Sequence, residues 1–369
     1  MSAMSRKIRV GVLFGGRSVE HEVSLQSAKN IVDALDRKKY DVVLIGIDKS
    51  GRWTLSRSAN FLLNESNPKL IKLNKAAENV ALIPGNPTEP LMTVKSADPL
   101  GRLDVIFPIL HGSFGEDGTV QGLLKLANIP FVGASVLGSA VGMDKDVMKR
   151  LLRDAGIPIA KFAVYGRSEA TSVRYGDVTK KLGSPVFVKP ANSGSSVGIR
   201  KVKGEKEWKP AIDEALQFDD KVIVEEAIQG REIEVAVLGN EDPKASVPGE
   251  IIPRHEFYSY EAKYIDENGA RLEIPAKLPE DVKRKVQGLA VQAFKVLCCE
   301  GMARVDFFVK ENGEVIVNEI NTIPGFTKIS MYPKLWEASG ISYAELIDRL
   351  ITLALERFQR ESKLKTSYE

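Results

Sequence analysis

The chain has 369 residues, 43% of them hydrophobic and 27% charged, with 52 Lys and Arg set against 49 Asp and Glu. This length exceeds one typical domain, and the composition is that of a soluble globular protein of roughly two or three domains. The interleaved charges and small net charge of +3 exclude an ordinary basic nucleic-acid surface. No apolar run approaches the ~20 residues of a membrane helix and no signal-peptide core precedes the first strand, so a cytoplasmic protein with neither nucleic-acid nor membrane partners is expected.

The first part alternates strand and helix: strands over 7–14, 41–48 and 103–110, helices over 19–35 and 118–127, and a short strand over 130–134. Such alternation predicts an α/β unit with a parallel sheet covered on both faces. Residues 50–96 have no clean period and are rich in Pro, Asn and Ser, so irregular surface structure is expected there. A second unit starts near Met143 with a helix that stops at Gly156, ahead of Pro158. Strands over 161–165, 185–191, 198–202, 221–228 and 231–239 and a helix over 205–216 fit an antiparallel sheet with helices on one face. The third unit starts near Ser246, with a long irregular stretch over 254–270, a helix over 280–297, a hairpin and an amphipathic helix over 343–360. The expected units are 1–142, 143–245 and 246–369. Cys298 and Cys299, adjacent in a predicted helix, suit neither a disulfide nor a metal and are expected in the core of a reduced protein.

The hairpin from Gly301 to Gly325 carries most of the chemistry. Asn312-Gly313 between two runs of β-formers signals a tight turn. With those two residues as the turn, Asp306 faces Glu319 and Arg304 faces Asn321, and all four project from one face. Val305, Phe307, Val309, Ile316 and Ile320 fall on the other face, toward a core. Two carboxylates directly across a ladder repel, and a hard divalent cation relieves them, because Mg²⁺ takes carboxylate oxygens and shares its other sites with water and phosphates. The bland alternative is the exposed polar face of an edge hairpin, which explains most alternating strands; an Arg, Asp, Glu, Asn quartet in register favours the metal.

Other motifs are weaker alone. The strand-loop-strand segment 189–199 is not a Walker loop, yet Gly194, Ser195, Ser196 and Gly198 offer N–H groups and hydroxyls for phosphates beside Lys189. Lys145 and Lys263 would add phosphate charges, although taken singly each reads as a solvated lysine. Glu225, Glu226 and Glu232 crowd a strand-turn-strand and would accept from ribose or an adenine amine, or form a solvated acidic turn. Glu20, His21 and Glu22 follow a Gly-Gly turn at the C-terminal end of the first strand, the edge where open α/β sheets bind ligands; no G-x-G-x-x-G is present. His111, Glu116 and Asp117 follow another strand of that layer, with Asp117 read as a helix cap. Phe257, Tyr258, Tyr260 and Tyr264 lie in a long loop of lid type. Gly325 would bring a backbone N–H to a reacting centre, and Ser330 with Met331 would open a helix that receives an anion.

Taken together, the phosphate grip, the acidic adenine segment and the Asp…Glu-x-Asn pair resemble the ATP-grasp ligases. "FGG-x-S-x-E-x-EVS", "HG-x-x-GEDG-x-x-QG", "MDK", "KP-x-x-x-GSSVG", "GREIE", "AKY", "ARVD" and "NEINT-x-PG", in this order from Gly15 to Ser330, resemble the D-alanine–D-alanine ligases within that family. The resemblance implies an ATP-grasp fold of three α/β domains, with the family's roles carried over residue by residue. It implies ligation of two D-alanines for peptidoglycan precursor synthesis, with ATP consumed through an acyl phosphate, and a homodimer. D-alanine–D-lactate ligase or another ATP-grasp carboxylate–amine ligase is the alternative. Two Mg²⁺ (or Mn²⁺) on Asp306, Glu319 and Asn321 are implied, with Lys145, Lys189, Ser196 and Lys263 on the ATP phosphates. Glu225, Glu226 and Glu232 fall at the adenine and ribose positions and Ile228 lines the base pocket. Arg304 and the Gly325 N–H match the oxyanion stabilisers. Glu20 would bind the first substrate's ammonium and link through Ser195 to Tyr264; His111 would meet the first carboxylate, and Ser330 with Met331 the second. Glu226 stands where some relatives have Lys and Met331 where others have Leu, while Tyr264 favours a dipeptide product over a D-alanyl-D-lactate product.

Overall fold

The computed structural model describes residues 6–56, 62–64, 71–74, 78–86, 88–96, 98–253, 270–365 and 367–368. The apolar strand Ile8–Gly15 pairs in parallel with Tyr40–Ile47 on one side and Val105–Ile109 on the other, the pattern expected of a buried α/β sheet. Beyond Tyr40–Ile47 the sheet continues through Trp53–Ser56, Glu78–Leu82 and Leu91–Thr93, each pair antiparallel. The first sheet is therefore mixed, a correction to the all-parallel expectation. Part of the 50–96 stretch, expected to be irregular, supplies its outer strands; they are short and half-polar, so no clean period announces them. The expected strand over 130–134 is reduced to a single bridge between Phe131 and Ile106.

The second sheet is antiparallel in the order Arg200–Val202, Val186–Pro190, Lys221–Glu226, Phe162–Gly166. Its small core gathers Val186, Val188, Val222 and Val224 under Trp208 and Ile212 of the helix Glu205–Ala215. The strand Arg231–Gly239, expected in this unit, pairs instead with Gly301–Val309 along its whole length. It belongs to a third, antiparallel sheet that also holds Ala270–Glu273, Gly249–Pro253 and Val315–Asn321.

Two helices fasten that third sheet. Glu280–Val296 starts with Glu280 and Asp281 and ends near Lys295, charges that suit the helix dipole, and buries Val282, Val286, Ala290, Ala293 and Phe294 against the sheet. Tyr343–Glu361 is capped by Ser342, whose Oγ accepts the Glu345 N–H at 3.3 Å. Its stripe of Leu346, Ile347, Leu350 and Ile351 shares one core with Val10, Val12, Phe14 and Phe107 of the first sheet and with Phe326 and Tyr332. First and third units are thus packed through a common core. Arg357 of this helix reaches the Phe131 carbonyl at 2.7 Å and the Gly133 carbonyl. Of the two cysteines only Cys299 is buried; Cys298 is exposed just past the end of the Glu280–Val296 helix, which corrects the expectation of two core thiols.

Candidate active site

The first strand ends in Gly15 and Gly16, both at positive φ. A Cβ on Gly15 would stand 2.2 Å from the Ile47 carbonyl oxygen, so only glycine permits this reversal into the helix His21–Ala34. Glu20 occupies the N-cap position of that helix without capping it. Its buried carboxylate instead accepts from Ser195 Oγ of the segment 189–199. In that segment Ser195 and Ser196 adopt φ of 51° and 61°, a left-handed conformation that costs on the order of 1–2 kcal/mol per non-glycine residue. Residues predicted to grip phosphate are therefore held in a strained turn at the border of the first and second units.

His111 follows the neighbouring parallel strand and is buried. Its Nδ1 lies 3.0 Å from the Ile323 carbonyl, which fixes the proton there, and its Nε2 lies 3.3 Å from Ser27 Oγ. Burial drives the imidazole from its ordinary 6.5 to about 4, so it stays neutral. Glu116 accepts the Gly112 N–H at 2.7 Å and the Ile323 N–H at 3.2 Å. Burial and the nearby Glu20 push its carboxyl up to about 8, against the pull of those two N–H groups and of Arg304. Asp117 accepts the N–H of Phe114 at 2.8 Å and of Thr119 at 3.0 Å, but it lies one residue before the N-cap, Gly118, and the helix has no side-chain cap, which corrects the capping expectation.

The hairpin brings its quartet together, though by another route than a two-residue turn. Lys310 N–H donates to the Glu314 carbonyl and Gly313 N–H to the Lys310 carbonyl, both at 2.9 Å, so the turn has three residues, Glu311, Asn312 and Gly313. The ladder next to the turn is one residue out of the expected register: Val309 faces Val315 and Phe307 faces Val317. A bulge at Asn318 then restores it, and Asp306 faces Glu319 and Arg304 faces Asn321. Three residues change sides as a result. Ile316, expected in the core, pairs with Phe308 on the site face, while Val315 and Val317 join the core.

On that face Arg304 donates to both oxygens of Asp306, at 2.7 and 2.6 Å, and Asn321 Nδ2 donates to the same carboxylate at 3.2 Å. Arg304 Nε also stands 2.9 Å from Glu234, which lies opposite Asp306 on the adjoining strand. Glu234 was not singled out above, yet it follows Glu232 by two residues and so shares its face, a signal present in the sequence. Among the described residues no group of three His, Cys, Asp or Glu side chains converges as a metal cage. The pair Asp306 and Glu319 with Asn321 beside it fits Mg²⁺, which keeps few protein ligands and leaves room for phosphate oxygens.

Lys145 joins the hairpin to the phosphate segment: its buried Nζ donates to the Ser193 carbonyl at 2.6 Å and lies 3.5 Å from Glu319. Lys189 reaches Glu225 at 2.8 Å. The other Glu225 oxygen lies 3.4 Å from Lys149, which is wholly buried one helical turn after Lys145. Burial alone would raise the Glu225 pKa, but the two ammonium groups outweigh it and hold the carboxylate ionised. Lys149 was missed by the motif reading, although its spacing of four from Lys145 places it on the same helical face. Glu226 turns its side chain away to accept the Lys161 N–H at 2.7 Å. Ile228 and Glu232 are half-buried, with Glu232 opposite Phe308 of the hairpin. Ser330 precedes the helix Met331–Ala338 and accepts the Thr327 N–H at 3.0 Å; Met331 buries its side chain in the shared core. A Cβ on Gly325 would lie 2.7 Å from Ser330 Oγ, so this turn is packed to glycine size. Lys263 and Tyr264 lie outside the described residues, as do Phe257, Tyr258 and Tyr260.

Residues 9–134 match the family described as D-ala D-ala ligase N-terminus, and residues 151–352 match D-ala D-ala ligase C-terminus. The chain is 60% identical over 361 residues to the D-alanine–D-alanine ligase of Oceanobacillus iheyensis, covering 98% of this chain and 99% of that protein. It is 55% identical to D-alanine–D-alanine ligase A of Escherichia coli K12, with 98% and 99% covered. Among solved structures, the D-alanine-D-alanine ligase from Coxiella burnetii superposes with a TM-score of 0.85 at 43% identity, covering 97% of each chain. The VanG D-Ala:D-Ser ligase from Enterococcus faecalis superposes at 0.82 and 35% identity, covering 95% of this chain and all of that one, 100%.

Proposed function

We propose the reaction from one premise: this chain belongs to the D-alanine–D-alanine ligase family. Its fold is the ATP-grasp arrangement of α/β units, and it is an ATP-dependent ligase that joins two D-alanines into D-alanyl-D-alanine for peptidoglycan synthesis. The observation that carries our assignment of the site is the position of Lys145, whose ammonium spans the phosphate segment and the hairpin carboxylate Glu319.

Around it the roles divide by chemistry. Glu225, kept ionised by two lysines, accepts from the adenine amine, with Ile228 and the Glu226 backbone beside the base and Glu232 at the ribose. Lys145, Lys189, the N–H groups and hydroxyl around Ser196, and Lys263 hold the phosphates. Asp306, Glu319 and Asn321 would hold two Mg²⁺ or Mn²⁺, which when bound neutralise charge on the transferring phosphoryl group. Glu20 receives the ammonium of the first D-alanine and ties it through Ser195 to Tyr264, while His111, both of whose ring nitrogens are engaged within the protein, sits near its carboxylate. That carboxylate attacks the γ-phosphorus and ADP leaves, giving an acyl phosphate. The amine of the second D-alanine, whose carboxylate rests at Ser330 and the Met331 N–H, attacks the acyl carbon. Arg304 and the Gly325 N–H stabilise the tetrahedral oxyanion before phosphate departs. We further propose three units, with the expected boundary at 245 moved to about 230 so that Arg231–Gly239 stays with its sheet, a homodimer and a cytoplasmic location. Among the described residues no helix is long and apolar enough to cross a membrane.

The test is phosphate release from ATP with D-alanine, L-alanine, D-lactate and D-serine, each with and without Mg²⁺. Release that needs D-alanine and Mg²⁺ is expected. Release with D-alanine only when D-lactate or D-serine is added would move the acceptor assignment to a sister ligase.

A further inference from the structure

Gly325 lies in the segment between the strand Val315–Asn321 and the helix Met331–Ala338, so no ladder or helix of its own fixes its N–H. Its position comes from Phe326, which follows it, and from Ile323, which precedes it across Pro324. The Ile323 N–H donates to Glu116 at 3.2 Å, and the Ile323 carbonyl accepts from His111 Nδ1 at 3.0 Å. The Phe326 N–H donates to Ser27 Oγ at 3.2 Å, and the Phe326 carbonyl accepts from Asn30 Nδ2 at 3.0 Å and from Tyr343 at 2.8 Å. Every partner except Tyr343 comes from the first unit. Ser27 and Asn30 lie on the helix that follows Glu20, and Glu116 lies on the loop that follows His111. Because Ser27 Oγ accepts from Phe326, its own proton is directed to His111 Nε2, which joins the two halves of the clamp.

We propose that Ser27, Asn30 and Glu116 are positioning residues for the Gly325 N–H, so that the unit seating the first D-alanine also sets the group that stabilises the tetrahedral intermediate. The inference rests on the oxyanion role given to Gly325 above. An oxyanion donor works only when aimed where the charge develops, and a shift of ~1 Å costs about 100-fold in rate. Glu116 accepts two N–H groups, and a glutamine there offers one oxygen and turns an NH₂ toward the second donor. Ser27 and Asn30 each serve one side of Phe326.

The experiment measures kcat, the KM for ATP, the melting temperature and the affinity for a phosphinate analogue of the dipeptide, a tetrahedral mimic, in wild type, Glu116→Gln, Ser27→Ala and Asn30→Ala. We expect kcat and phosphinate affinity to fall together by about 10- to 100-fold with the KM for ATP within about twofold of wild type. Unchanged kcat and phosphinate affinity in all three variants would overturn the proposal. So would losses that follow a fall in melting temperature and extend equally to ATP, since that is general damage. Wild-type enzyme that ligates D-alanine yet fails to bind the phosphinate would remove the oxyanion role of Gly325 itself, a different failure that takes the proposal with it.

Discussion

Acidification should destabilise this protein through His111, and the size of the effect follows from its surroundings. Both ring nitrogens are engaged in the neutral form, Nδ1–H to the Ile323 carbonyl and Nε2 from Ser27, whose Oγ already accepts the Phe326 N–H. A proton on Nε2 would take from the Ser27 hydroxyl proton its acceptor inside the core. Burial accordingly holds the folded-state value at about 4, against 6.5 for an exposed imidazole. The folded state thus binds the proton less readily than the unfolded state. The stabilisation is complete above pH 6.5 and disappears as the pH falls toward 4. From that difference the loss is about 2 kcal/mol by pH 5 and about 3 kcal/mol below pH 4. Urea denaturation at about pH 7.5 and about pH 5, for wild type and His111→Gln, isolates this contribution from the other titrating groups. Wild type should lose about 2 kcal/mol more than the variant over that interval. Equal losses would refute the argument that the neutral ring is what the fold requires.

Two further substitutions bear on the site. Glu319→Ala should abolish turnover with the fold intact, because it removes a proposed metal ligand while relieving the repulsion with Asp306 across the ladder; near-normal turnover, with an unchanged melting temperature, would count against the metal role. Lys149→Met replaces a wholly buried ammonium with an apolar side chain of similar length, while Glu225 keeps Lys189 at 2.8 Å. Stability should fall, because Glu225 loses one of the two ammonium groups that offset its burial, and ATP affinity measured by calorimetry should fall roughly tenfold, about 1.4 kcal/mol. Unaltered ATP affinity would detach Lys149 from the adenine site.

Most of this architecture was legible where local pattern and global pairing agree. The run of apolar residues in Ile8–Gly15 and Tyr40–Ile47 marks buried parallel strands, and the 3.6-residue stripe of Tyr343–Glu361 marks a helix on a core. The outer strands Glu78–Leu82 and Leu91–Thr93 escaped because short half-exposed strands carry little periodicity. The sheet membership of Arg231–Gly239 escaped for another reason: its pattern says strand, but nothing local says that Gly301–Val309, some seventy residues later, is the partner. Ser27 and Asn30 are the least legible of all. They are ordinary polar residues on an amphipathic helix, and their meaning comes only from a segment roughly three hundred residues away.

The surplus residue in the hairpin has a consequence for how such a chain can change length. Asn318 has no opposite number on the partner strand, since Phe307 faces Val317 and Asp306 faces Glu319. Deleting it would leave every other pair and every facing side chain where it is. The distance from turn to catalytic face is therefore open to gain or loss of a residue at this one point, and an alignment of relatives has a natural place there for its gap.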